Sequence, residues 1–177
     1  MGELARSDGT GALAVRFIAL TAARSGEVRG ASWSQIDLEA KVWTVPADRM
    51  KAGREHRVPL SAGAIDVLQL ARERGDGSGH VFPGGRASRG LSDVAVSKAL
   101  HLAAGTKAVT VHGLRSTFRD WVADATSHQP DVAEAALAHA LGDAVRVAYQ
   151  RGDLFEKRRV LMDDWAAFVA VSPPARR

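Results

Sequence analysis

With 177 residues, 46% of them hydrophobic, the chain has material for one well-buried core and too little for two. Its 24 Lys and Arg against 20 Asp and Glu leave a net charge of +4, a mild basic lean that suits a nucleic-acid partner and assigns nothing by itself. The absence of cysteine excludes a disulfide framework, thiolate metal sites and a cysteine nucleophile; with no membrane span or signal-peptide pattern either, a cytoplasmic setting is expected.

Residues 12–23 are almost continuously apolar, which predicts a helix buried on most sides and ending near Arg24. Ser25 is expected to cap a short second helix through Glu27 and Val28, stopped by Gly30. Runs of β-branched and aromatic character follow at 33–38, 42–45 and 54–60, with turn-like Glu39-Ala40 and Lys51-Ala52-Gly53 between them. They predict a small antiparallel sheet, with Pro46 and Pro59 at strand ends or on an edge. Ser61 opens a helix with Ala64, Val67, Leu68 and Ala71 inward, and an irregular loop over 80–90 separates it from a helix opened by Ser92 and closed by Gly105.

Thr110 caps the next helix, whose apolar stripe is Leu114, Phe118, Trp121, Val122 and Ala125. Pro130 suits the first turn of a helix that stops at Gly142. A last amphipathic helix carries Leu154, Leu161, Trp165 and Phe168 ahead of a Pro-Pro and Arg-Arg tail. The expected fold class is mainly α with a small antiparallel β-sheet (α+β). One domain is expected over residues 1–177, its core spanning about 12–169 and its flexible tail 170–177.

His112, Arg115 and Arg119 are spaced i, i+3, i+7, so the helix after Thr110 is expected to present a cationic row outward. Arg24 stands where two helices meet, a place at which side chains and free backbone N–H groups can converge on an anion. Glu27, three residues on, would hold its guanidinium. The six histidines lack metal-binding spacing, so neither a metal nor any other cofactor is expected. His56 and His128 read as structural or surface residues.

Four stretches carry a resemblance to a known family. The run from Thr21 through Arg24, Glu27 and Val28, continued by Trp33, Ile36-Asp37-Leu38 and Trp43-Thr44-Val45-Pro46, resembles the first catalytic motif of phage-integrase tyrosine recombinases. Met50-Lys51 with His56-Arg57-Val58-Pro59-Leu60 is similar to the strand pair bearing that family's catalytic lysine. His112-Gly113-Leu114-Arg115 resembles its His-x-x-Arg motif, and Leu137-Ala138-His139 with Ala148-Tyr149 and Arg151 resembles its His and nucleophilic Tyr segment. Tyr149 lies ten residues after His139, a spacing similar to that of the integrases of P4-like prophages, and it is the only tyrosine in the chain.

The resemblance implies the tyrosine-recombinase catalytic-domain fold and site-specific DNA recombination through a 3′-phosphotyrosyl intermediate. It makes Tyr149 the nucleophile, Arg24 and Arg115 phosphate donors, His112 the proton acceptor, Lys51 the general acid and His139 a further phosphate donor, with Glu27 supporting Arg24. The implied partners are double-stranded DNA attachment sites and other recombinase protomers on DNA, with no membrane. The family's N-terminal DNA-binding domains have no counterpart in the sequence. Two other readings stay open at this point: a catalytically silent DNA-binding remnant of an integrase, and type IB topoisomerase-like strand cleavage alone.

Overall fold

The apolar run near the start becomes the axis of the molecule. In a computed structural model, which describes residues 9–85, 89–139 and 153–171, it forms α1 (Thr10–Thr21), with Leu13, Val15, Phe17 and Ile18 at most 1% exposed. A helix apolar on every side needs neighbours on every side. Here α1 packs against α3 (Ala62–Glu73), α4 (Asp93–Ala104), α5 (Val111–Ala125) and α7 (Phe155–Ala170). Between α1 and the sheet lies the short α2 (Ser25–Arg29), and α6 (Pro130–Ala136) precedes α7 in the chain.

The sheet is antiparallel with order β1-β2-β3, formed by β1 (Ile36–Asp37), β2 (Val42–Val45) and β3 (His56–Pro59). Trp43 pairs with Ile36 on one side and Val58 on the other, and its buried ring meets Phe17 at 5.4 Å, so one aromatic contact seats the sheet on α1. Pro59 ends the edge strand β3 and Pro46 follows β2, both where a missing N–H costs no ladder bond.

The strand expected over 33–38 is mostly not a strand. Trp33–Gln35 form a 3₁₀ turn, because the Gln35 side chain accepts the Ser32 N–H at 3.3 Å and its own N–H donates to the Ser32 carbonyl at 3.0 Å. Local side-chain bonding of this kind competes with the extended ladder. Ser61, Ser92 and Thr110 cap their helices as expected, each hydroxyl accepting the N–H three residues on.

A second apolar cluster gathers Phe118 and Val122 of α5, Val132, Ala133 and Ala136 of α6, and Leu161, Met162 and Trp165 of α7. The Trp165 indole donates to the Ala19 carbonyl at 2.6 Å, which ties this cluster to α1. Two expectations change here. Ala125 is exposed, so the stripe of α5 ends at Val122. The helix from Pro130 ends at Ala136 instead of Gly142, because Ala138 takes a left-handed φ of 50°. The N–H groups of Ala138 and His139 then bond back to the carbonyls of Ala135 and Glu134, at 3.2 and 3.0 Å, closing a Schellman turn.

Candidate active site

Two helix ends build the site. At the first, Thr21 bonds its hydroxyl to the Phe17 carbonyl at 2.7 Å and Ala22 turns left-handed, φ 50°, so α1 stops and the chain swings into Arg24. Arg24, not Ser25, is the residue that caps α2; the Ser25 hydroxyl reaches Asp93 at 3.0 Å instead. Glu27 accepts the Arg24 backbone N–H on one oxygen at 2.9 Å and its guanidinium on the other at 2.8 Å. The carboxylate is buried while the Arg24 side chain remains 30% exposed, so the pair is anchored below and open above.

Arg115 comes to the same place from α5. The expected outward row of cations is corrected here: His112 and Arg119 are exposed, but Arg115 is only 5% exposed and turns inward. Its Nη1 donates to the Ala22 carbonyl and its Nη2 to the Leu137 carbonyl at 2.8 Å. Those are carbonyls left over where α1 and α6 end, so one guanidinium closes two helix termini and is fixed by both. Burial, helped by the nearby Arg24 charge and opposed by Glu27, brings the Arg115 guanidinium down to about 10. It stays charged at neutral pH, within the fields of both Arg24 and the buried Glu27.

The turn after α6 brings His139 beside Arg115, its Nε2 3.4 Å from Arg115 Nη2 and its Nδ1 2.7 Å from Glu134. Arg24, Glu27, Arg115 and His139 are thus drawn together from distant parts of the sequence. Lys51 is exposed on the turn before β3 and His112 is exposed in the first turn of α5; neither makes a hydrogen bond or ion pair among the described residues. Tyr149 lies outside the described residues.

Two neighbours were not singled out by sequence. His56, taken for a structural or surface residue, is partly buried on β3 within the fields of Arg24, Glu27 and Arg158. Burial first, then the Arg158 charge, lowers its imidazole to about 4; Glu27 and the Ala136 backbone pull the other way, and Arg24 adds to the lowering. The strand period held a signal, since His56 and the buried Val58 share a face. Arg158, 1% exposed, donates to the Asp153 carbonyl at 2.7 Å, to the Asp153 carboxylate at 2.8 Å and to the Arg57 carbonyl at 2.6 Å, locking the start of α7 to β3. Among the described residues no group of three or more acidic or histidine side chains is placed to hold a metal, and no helix is long and apolar enough to cross a membrane.

Residues 5–153 match the phage integrase family. The chain is 38% identical over 151 residues to prophage integrase IntA of Escherichia coli (strain K12), covering 85% of this chain and 36% of that protein. It is 38% identical over 153 residues to prophage integrase IntZ of the same strain, covering 86% and 38%. The integrase of Enterobacteria phage P4 is 31% identical over 173 residues, covering 89% and 39%. Among solved structures, the Tn1549 transposon integrase in complex with circular intermediate DNA superposes with a TM-score of 0.62 at 15% identity, covering 91% of this chain and 61% of that one. XerA recombinase gives 0.61 at 19% identity, covering 97% and 62%. The fold is that of tyrosine recombinases, and the chain belongs to the phage integrase family. It spans well under half the length of the integrases it matches.

Proposed function

We propose that this chain is the catalytic domain of a site-specific recombinase that cleaves and rejoins double-stranded DNA at attachment sites through a 3′-phosphotyrosyl intermediate on Tyr149. The observation that carries the reading is the convergence of two anchored guanidinium groups: Arg24, paired to the buried Glu27, and Arg115, bonded to the Ala22 and Leu137 carbonyls and within reach of the Arg24 and Glu27 charges. Two fixed guanidinium groups with one counter-charge leave an uncompensated cation in a partly desolvated pocket, which an anionic phosphate would neutralise. Their preorganisation suits the charge that gathers on the non-bridging oxygens during attack at phosphorus.

In this reading the Tyr149 phenol oxygen bonds to phosphorus as the bond from phosphorus to the 5′ oxygen breaks. The phenol proton passes to His112, and Lys51 protonates the departing 5′ oxygen. The product is a 3′-phosphotyrosyl ester and a 5′ hydroxyl, so rejoining needs no external energy source. His139 adds a hydrogen bond to the phosphate, and Glu27 holds Arg24 in place. Recombination partners would be further protomers assembled on the same DNA.

The test is to incubate the protein with a pool of nicked duplexes of randomised core sequence, in which the short downstream fragment bearing the freed 5′ hydroxyl diffuses away after cleavage. A covalent protein–DNA adduct is expected from the unsubstituted chain and none from Tyr149→Phe. An adduct of equal yield in both would overturn the assignment of Tyr149. No adduct in either, while DNA is bound, would favour the silent DNA-binding remnant.

A further inference from the structure

Glu134 has no role in the reaction as drawn above, yet it is bonded to His139 twice and to Arg119 once. We propose that Glu134 is a positioning residue that fixes the His139 imidazole through Nδ1, so that Nε2 is turned to Arg115 and to the phosphate. The proposal rests on the recombinase reading of the same site and adds a residue to it.

The backbone sets the geometry first. The Schellman turn at the end of α6 folds the chain back at Ala138, and the His139 N–H returns to the Glu134 carbonyl at 3.0 Å. That backbone bond brings the two side chains together, and the Glu134 Oε2 to His139 Nδ1 distance is 2.7 Å. Arg119 takes the other carboxylate oxygen at 3.0 Å, so both Glu134 oxygens are engaged when one of them faces the ring.

The direction of the proton follows from the partners. Burial would raise the Glu134 carboxyl, but hydrogen bonds from His139 and Arg119 outweigh it and hold the group below its ordinary value. An ionised carboxylate only accepts, so Nδ1 carries the hydrogen. In the neutral ring Nε2 is then an acceptor, and Arg115, which only donates, stands 3.4 Å from it. Donating from Nε2 to a phosphate requires a second proton on the ring, and Glu134 is the group placed to balance that cation. One chain of contacts therefore runs Arg119, Glu134, His139, Arg115, from the surface into the phosphate pocket.

The magnitudes separate orientation from stability. The His139 side chain is 41% exposed and that of Glu134 26%, and a pair so open to water adds roughly 1 kcal/mol or less to folding. Losing the contact should leave the fold intact and disturb the ring.

The test compares Glu134→Ala with Glu134→Gln, whose amide oxygen can still accept from Nδ1. Imidazole nitrogen NMR on the DNA-free protein, with the His139 signals assigned by their loss in His139→Gln, reads the tautomer. The expected result is an Nδ1-protonated ring in the unsubstituted chain and in Glu134→Gln, lost in Glu134→Ala. On the pool of nicked duplexes at saturating DNA, adduct formation is expected to slow about 10- to 100-fold in Glu134→Ala and less in Glu134→Gln, with DNA affinity and melting temperature nearly unchanged. A His139 tautomer indifferent to Glu134→Ala, or an adduct rate that falls no further than DNA binding does, would overturn the proposal. Failure of the unsubstituted chain to form any adduct would count against Tyr149 chemistry, and the NMR measurement would still decide whether Glu134 orients the ring.

Discussion

Arg115 commits two of its N–H donors to the carbonyls of Ala22 and Leu137 and keeps others for a ligand. A lysine ammonium cannot bridge both carbonyls and also present a planar fork, so Arg115→Lys is expected to cost stability and catalysis together. One stranded buried carbonyl costs about 1–3 kcal/mol, read as a lowered urea midpoint. Loss of one fixed donor on the phosphate slows adduct formation by about 100-fold or more at saturating DNA. His56 gives a prediction in pH. Its folded imidazole, at about 4, lies below the ordinary 6.5 of the unfolded chain, so between these values the unfolded state binds more protons. Stability is therefore lost as pH falls from 6.5 toward 4, by about 2 kcal/mol at pH 5, and His56→Gln should flatten that part of the curve in urea titrations. Arg24, Glu27, Arg115 and His139 were legible in the sequence through motif resemblance. The inward turn of Arg115 was not, because helical spacing gives a direction around the axis and cannot say that two stray carbonyls wait there. His56 and Glu134 were hidden for a related reason: each matters through partners far along the chain or across a turn.

At the scale of elements, the site is made by endings. α1 and α6 both stop at alanines in left-handed conformation, Ala22 and Ala138, and each stop offers a carbonyl to Arg115. A side chain at φ 50° is strained where glycine is not, so Ala138→Gly is expected to raise stability by up to about 1 kcal/mol and leave the Glu134–His139 contact in place. Thermal denaturation checks the first part. At the other end of the segment that carries Tyr149, Arg158 fastens Asp153 and β3 together from a site that is 1% exposed. Arg158→Met removes the donor for two backbone carbonyls and a carboxylate, and should cost about 3 kcal/mol in chemical denaturation. Caps written in Ser and Thr were legible, as were periodic stripes such as Ala64, Val67, Leu68 and Ala71. The end set by left-handed Ala138 was not, since alanine carries no signal for that conformation, and the helix from Pro130 was therefore expected to run on to Gly142.

For the whole molecule, a net charge of +4 and the Arg24–Arg115 site would make the proposed binding to DNA a matter of phosphate contacts. Affinity for a duplex of arbitrary sequence is expected to fall roughly 40- to 500-fold between about 50 and 200 mM salt, as about three to five phosphates' worth of counterions would dictate. A titration by fluorescence anisotropy gives the slope. The proposed chemistry is more specific: Arg24 and Arg115 would hold one phosphate for attack by a phenol. It is tested most directly by digesting the covalent adduct with protease and nuclease and sequencing the modified peptide by mass spectrometry. The expected result is a 3′-linked nucleotide on Tyr149, formed by the unsubstituted chain and reduced by orders of magnitude in both Arg24→Ala and Arg115→Lys. A nucleotide on any other residue, or one linked through its 5′ phosphate, would contradict it.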